Sequence, residues 1–253
     1  MSNNNYGRAI VAWSTANAPQ LFTGECVRYE YDDQYSLADI TGASGDVLAQ
    51  IFSKAKAGIS FEAKCSNAST NFLDLTGNAA QITVSGISSG TVLAEMVEEI
   101  WALDEPKVAR VQATHYPDMT TGGTAAGTSG SAFTPDQSAG ATQYPGGTFI
   151  YSTAGLAQAA GDIHYLRLTQ RLRIAEHPAT PAGKIVSATA TGYKRQIEMR
   201  VLALGNPPAK GASISLTGIG MGSNYRVNRV TTMYAIERAM MYGIHAEWIP
   251  AFG

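Results

Sequence analysis

The stretch Asp46–Cys65, DVLAQIFSKAKAGISFEAKC, decides how the fold is read. Both of its ends are β-prone, and a small basic segment, Ser53 to Lys56, sits between them. Successive residues of a strand point to opposite faces. In the second arm Ile59, Phe61, Ala63 and Cys65 therefore share one face, and Ser60, Glu62 and Lys64 share the other. One face suits a core and the other suits water or a lumen. The spacing predicts a long hairpin hinged at SKAK.

The pattern returns. Val47 to Cys65 can be laid on Ile185 to Ala203 without a gap, with the basic hinge TGYKR (191–195) in place of SKAK. Ile59, Phe61 and Ala63 then fall on Ile197, Met199 and Val201, while Ser60, Glu62 and Lys64 fall on Glu198, Arg200 and Leu202. Pleat parity is kept although few identities survive. Downstream, QITVSGI (81–87) matches SISLTGI (213–219), and VQATHYP matches IHAEWIP at the end of each half. Two copies of one strand-rich pattern predict a tandem duplication.

Further strands are expected at VRYEYDD, where Val27, Tyr29 and Tyr31 alternate with Arg28, Glu30 and Asp32, and at IHYLRLTQRLRI (163–174). TVLAEMVEEIWALDEP (91–106) reads differently. Val92, Met96 and Ile100 recur at i, i+4, i+8 with Leu93 and Val97 beside them, which predicts an amphipathic helix ending by Pro106. YAIERAMM (234–241) is the matching helix-prone stretch. The segment 118–162 is Gly, Ser, Thr and Ala with almost no charge, and is read as a linker or extended loop. These features divide the chain into an arm (1–26), a first domain (27–117), the linker (118–162) and a second domain (163–253). The expected class is mainly β with minor α: two tandem β-barrels or sandwiches, each with a long hairpin and one packing helix.

Composition narrows the function. The 253 residues carry a net charge of −2, so no basic nucleic-acid footprint is advertised. Only 15% of residues are charged and 26 are glycine, which leaves surface suited to burial against other subunits. Cys26 and Cys65 form no CxxC pair and read as small buried hydrophobes. The N-terminus has no basic-then-apolar leader, and no apolar run approaches the ~20 residues of a membrane helix. Synthesis and use in a cytoplasm are expected, and the NAS at Asn67 is then idle as a glycosylation site.

The element order of both halves, roughly 27–117 and 163–253, resembles the tail tube proteins of tailed bacteriophages. That resemblance implies a non-enzymatic virion protein, made in the host cytoplasm, whose hairpins line a lumen and join those of neighbouring subunits. The family usually forms hexameric rings of single-domain subunits. Two domains per chain imply trimers with pseudo-sixfold symmetry, stacked into a tube through which genomic DNA passes during ejection. Other tail proteins, such as a terminator, a tape measure and a distal tail protein, would be its partners, and no cofactor, metal or membrane is implied. The lumen-facing candidates are Ser60, Glu62, Lys64, Glu198 and Arg200, with Leu202 beside them. Candidates for contact between rings are Lys54, Lys56, Lys194 and Arg195 at the hinges, meeting acidic residues such as Glu98 and Glu99. A terminator, connector or distal ring of the same virion is the nearest alternative, and a β-rich binding module a more distant one.

GISSG (86–90) is a G-x-S-x-G match that offers a catalytic reading, with Ser88 as nucleophile and Asp162 with His177 or His245 as partners. It lacks the preceding βαβ alternation and an HGGG-type oxyanion segment. The matching turn, GIGMG (218–222), keeps the glycines and replaces Ser88 by Gly220, so a turn explains both copies and a nucleophile only one. GIGMGS lacks the third glycine of a dinucleotide fingerprint. His115, His164, His177 and His245 show no metal-ligand spacing.

Overall fold

The computed structural model describes residues 9–15, 22–65, 81–84, 90–119, 150–153, 156–157, 163–178, 185–203, 206–217, 225–234 and 239–249. The described chain is mainly β, antiparallel throughout. Its strands are β1 (Ala9–Thr15), β2 (Phe22–Thr41), β3 (Val47–Cys65), β4 (Gln81–Val84), β5 (Thr91–Ala102), β6 (Val108–Tyr116), β7 (Ile150–Thr153), β8 (Leu156–Ala157), β9 (Ile163–Pro178), β10 (Ile185–Leu202), β11 (Ser213–Thr217), β12 (Tyr225–Met233) and β13 (Met241–Trp248). They lie in the order β4-β1-β2-β3-β6-β5-β9-β10-β13-β12-β11-β7-β8. β4 also pairs β5, so the first six strands close a circuit of pairings.

Two expectations fail instructively. The basic segments are not hairpin turns. β3 runs unbroken through Ser53–Lys56, and the chain reverses before it, at Gly42–Asp46, where Gly42 N–H donates to Asp46 O (2.8 Å). The extra residues around SKAK form a register shift between Gln34 and Ser36, and TGYKR carries a comparable shift between Ala190 and Gly192. Each is a β-bulge, which inserts residues into one strand and sharpens its twist.

The second failure is the helix at 91–106, which is strand β5. A bulge between Ala94 and Met96 explains the misreading. Val92 and Ala94 point to the core before it, and Val97, Glu99 and Trp101 after it. One phase slip in a period-2 pattern produces gaps of three that mimic helical spacing. Residues 235–238 of the second helix-prone stretch lie outside the described set. So does the linker from 120 to 149, whereas β7 and β8 occupy part of its remainder. Within the expected arm, β1 and the start of β2 are strands.

The pairings on the two sides of the sheet follow one scheme. β2–β3, β3–β6, β5–β6, β4–β5 and β1–β4 have counterparts in β9–β10, β10–β13, β12–β13, β11–β12 and β7–β11. Register agrees as well. Ile59 faces Ala113 and Tyr31, as Ile197 faces Ala246 and Leu168. The bulge between Ala94 and Met96 corresponds to one between Val227 and Arg229. The extra residue Val27 in β2 corresponds to His164 in β9.

The sides are joined where β5 pairs β9, Met96↔Arg171 through Ala102↔Tyr165. Trp101 of β5 thereby enters a core built from Ile163, Leu166, Leu168, Ile197, Met199 and further residues of β10–β13. A smaller cluster of Leu93, Tyr116, Met119 and Ile185 joins them again. Turns are tightly set. Gly90 has φ +75, and a Cβ there would lie 2.4 Å from Tyr116 O.

Beside the junction Lys107 Nζ sits 2.9 Å from Glu99 Oε1, both almost wholly buried, and 4.5 Å from the Trp101 ring centroid. The counterparts of Glu99 and Lys107 on the other side are Thr232 and Met240. Removing one member of a buried pair strands the other charge. Glu99→Ala should therefore lower stability by about 3–5 kcal/mol in denaturant unfolding. The double change Glu99→Thr with Lys107→Met should recover most of that loss. Gly90→Ala should lower stability by at least about 2 kcal/mol in the same assay, because positive φ and a backbone clash act together.

Candidate functional site: the charged face of the sheet

Strand parity builds the site. In the eight consecutive strands β2-β3-β6-β5-β9-β10-β13-β12, one face carries the core. The other carries a crosswise row of ionisable side chains. Arg28 lies opposite Glu62, Glu62 opposite Arg110 and Arg110 opposite Glu98. Across the junction Arg167 lies opposite Glu198, Glu198 opposite His245 and His245 opposite Arg229. The signs alternate from Arg28 to Glu198, the arrangement in which cross-strand neighbours attract, and the row ends on two basic residues, His245 and Arg229.

The contacts are close. Arg110 Nε donates to Glu62 Oε2 at 2.7 Å and Nη1 to Glu98 Oε1 at 3.1 Å. Arg167 Nε donates to Glu98 Oε2 at 2.8 Å, its Nη2 also bonds that oxygen, and its Nη1 lies 3.7 Å from Glu198 Oε2. Glu98 is buried beneath these two half-exposed guanidinium groups and links the two sides of the sheet. The hydrogen bond from Arg110 to Glu62 holds its pKa above the usual arginine value, and that from Arg167 to Glu98 does the same for Arg167. Burial, then the Glu198 charge, pushes the Tyr165 phenol up, and Arg200 lies 5.0 Å over its ring.

The sequence-predicted residues distribute as follows. Ser60, Glu62, Lys64, Glu198 and Arg200 all lie on this charged face, with Lys64 and Arg200 exposed and the rest half-buried. The hinge candidates separate. Lys194 is exposed, and its Nζ lies 3.0 Å from Glu247. Lys56 Nζ lies 3.0 Å from Glu176 Oε1, which also accepts from Tyr116 Oη at 3.0 Å. The Lys54 side chain lies outside the described residues. Arg195, Glu98 and Glu99 do not project to meet another ring. Arg195 is buried, 5.6 Å from the Trp248 ring and 3.4 Å from Gln170 Oε1. Glu98 and Glu99 are buried within β5, because that segment is an inner strand and not a surface helix.

Sequence reasoning missed Arg28, Arg110, Arg167, Arg229 and His245 as members of the row. Arg110 and Arg167 each lie in a stretch whose alternation was legible, but which strands become neighbours was not. A cavity of about 470 Å³ opens on the face, lined by Arg167, Arg171, Glu198, Arg229 and His245 among others. Among the described residues no cluster of three or more His, Cys, Asp or Glu could hold a metal ion. Ser88 and Asp162 lie outside the described residues. His177 is exposed near the end of β9, and His245 lies within β13.

No protein-family model matches the chain, and no curated protein matches it. The face itself therefore carries the functional argument.

The Lys194 ammonium, then Gln196, hold the Glu247 carboxyl below its ordinary value of 4.5. A lowered folded-state pKa adds stability above the ordinary value, and that stability fades as pH falls through the lowered one. Glu247→Gln should thus melt below wild type near neutrality, and the gap should close below about pH 4 in thermal scans. Glu98→Gln should cost about 1–3 kcal/mol, since its half-exposed arginine partners can rehydrate.

Proposed function

We propose that this chain is a structural virion protein, the subunit of a phage or phage-like tail tube. It self-assembles into stacked rings, with DNA passing through the lumen during ejection. Each chain would supply two tandem tube-type domains, so three chains would make a pseudo-sixfold ring. The observation that carries the reading is the charged face. It spans eight strands, and at its centre Arg110 and Arg167 are paired with Glu62, Glu98 and Glu198.

A conduit for DNA needs such a wall. Bare Lys and Arg would bind phosphates with release of counterions and hold the polymer at every step. Arginines already committed to Glu62, Glu98 and Glu198 have little left to offer a phosphate. Dimensions agree. At ~4.8 Å between strands and a tilt of about 35–45°, three copies of the eight-strand face would close a barrel roughly 45–52 Å across between opposite backbones. Barrels of 16–18 strands already leave an aqueous channel, so this one would be open.

Negative-stain microscopy of the purified protein tests the assembly, and long tubes of regular striation are expected. Single rings would point to a terminator, connector or distal tail protein, and featureless monomers to a binding module. The wall has its own test. Glu62→Gln with Glu198→Gln should create salt-sensitive retention of duplex DNA that the parent assembly lacks.

A further inference from the structure

The charged face is hollowed at two equivalent places. The cavity of about 470 Å³ lies over β9, β10, β13 and β12, and one of about 410 Å³ lies over the counterpart strands β2, β3, β6 and β5. Their buried apolar residues match: Ile197 and Ala246 in the first, Ile59 and Ala113 in the second, each pair directly opposite. Their charges do not match. Arg167 corresponds to Glu30, Thr169 to Asp32 and Asn228 to Glu95. His245 corresponds to Gln112, and Arg229 to Met96. The hollow is therefore a property of the repeated strand pattern, whereas the positive charge is particular to one side.

Within the basic cavity the arginines differ in what holds them. Arg167 is tied to Glu98 and Glu198. Arg171 and Arg229 are exposed, and neither enters an ion pair among the described residues. An unpaired guanidinium keeps its planar fork of N–H donors, the geometry that takes two oxygens of a phosphate at once. Thr169, Asn228 and His245 line the same cavity and add donors of their own. Glu198 is the one carboxylate among its described lining residues.

We propose that this cavity binds a small phosphate dianion, as inorganic phosphate or as the phosphate end of a monoester, held between Arg171 and Arg229. A phosphate monoester carries a charge of about −1.5 to −2 near neutrality, which two unpaired guanidinium groups balance. The cavity falls within the size range of small-molecule sites, about 300–1,000 Å³, so the organic part of a monoester has room over Ile197 and Ala246. A DNA duplex cannot enter a hollow of this size. It would offer the two arginines only a phosphate or two, whereas non-specific affinity for DNA is built from many such contacts. The site does not rest on the tube reading, and it leaves the paired centre of the wall as it is.

Isothermal titration of the intact chain with inorganic phosphate, and separately with AMP, tests the site. Saturable binding of one ligand per chain is expected, because the equivalent cavity has the opposite charge. Arg171→Gln and Arg229→Gln should each weaken it about tenfold or more, with circular dichroism unchanged, since neither side chain holds another part of the fold. Glu198→Gln should tighten it, by removing a carboxylate from the lining and releasing Arg167 from that partner. Glu95→Gln, in the acidic cavity, should leave it as it is. Binding of both probes supports the site with the phosphate alone as the recognised group. Binding of AMP alone supports it with a monoester as the ligand. No saturable binding of either probe, or binding that survives both arginine changes, would overturn the proposal. So would retention of a short DNA duplex with a logarithmic salt slope steeper than about −2, which would make the whole face a nucleic-acid surface. Tubes in the microscope decide the tube reading separately, whichever way the titration falls.

Discussion

The β5–β9 junction is the constraint on which the rest of the molecule depends. Its seven residue pairs turn two sets of strands into one sheet. Each net hydrogen bond of such a ladder contributes only about 1 kcal/mol, so the ladder sets register more than it supplies stability. Stability comes from what the register brings together. Trp101 enters the core of β9–β13 on one face, and Glu98 meets Arg167 on the other. A one-residue slip would reverse every side chain across the junction, exposing Trp101 and burying the arginine row. Apolar packing and charge pairing therefore select the same register from opposite faces.

Much of this was legible in the sequence where alternation is unbroken. The shared parity of Ile59, Phe61 and Ala63 with Ile197, Met199 and Val201 corresponds to residues that take the same places in β3 and β10. Alternation says which way a side chain points, and it held over both strands. It fails at bulges, because an extra residue changes phase without leaving a chemical mark. That happened at Ala94–Met96, where a strand acquired helical spacing, and at the basic segments, where a phase shift resembled a turn. Neighbour choice was illegible for a different reason. Nothing local to Glu98 announces that its partners are Arg110 and Arg167, twelve and sixty-nine residues away.

The charged face shows how a polar surface can be stiff without being sticky. Exposed ion pairs are individually weak, and no pair in the row would hold a fold alone. Arranged side by side across Glu62, Arg110, Glu98, Arg167 and Glu198, they share partners, so each guanidinium is oriented by two carboxylates. The result is a centre of fixed, paired charge, beside a cavity where Arg171 and Arg229 add unbalanced positive charge. A surface of isolated lysines would have the opposite property, with mobile charge ready to follow phosphate.

The buried pair Glu99–Lys107 and its replacement by Thr232 and Met240 obey one rule of desolvation. Burying two charges costs several kcal/mol per ion before their attraction returns it. Inside the chain that cost is met once, during folding, when β5 and β9 are tethered and their effective concentration is high. At the counterpart position on the other side of the sheet Thr232 and Met240 carry no charge, so no such cost arises there. The same strand geometry thus holds a desolvated ion pair where β5 is covered on both edges and uncharged side chains where Thr232 stands in water.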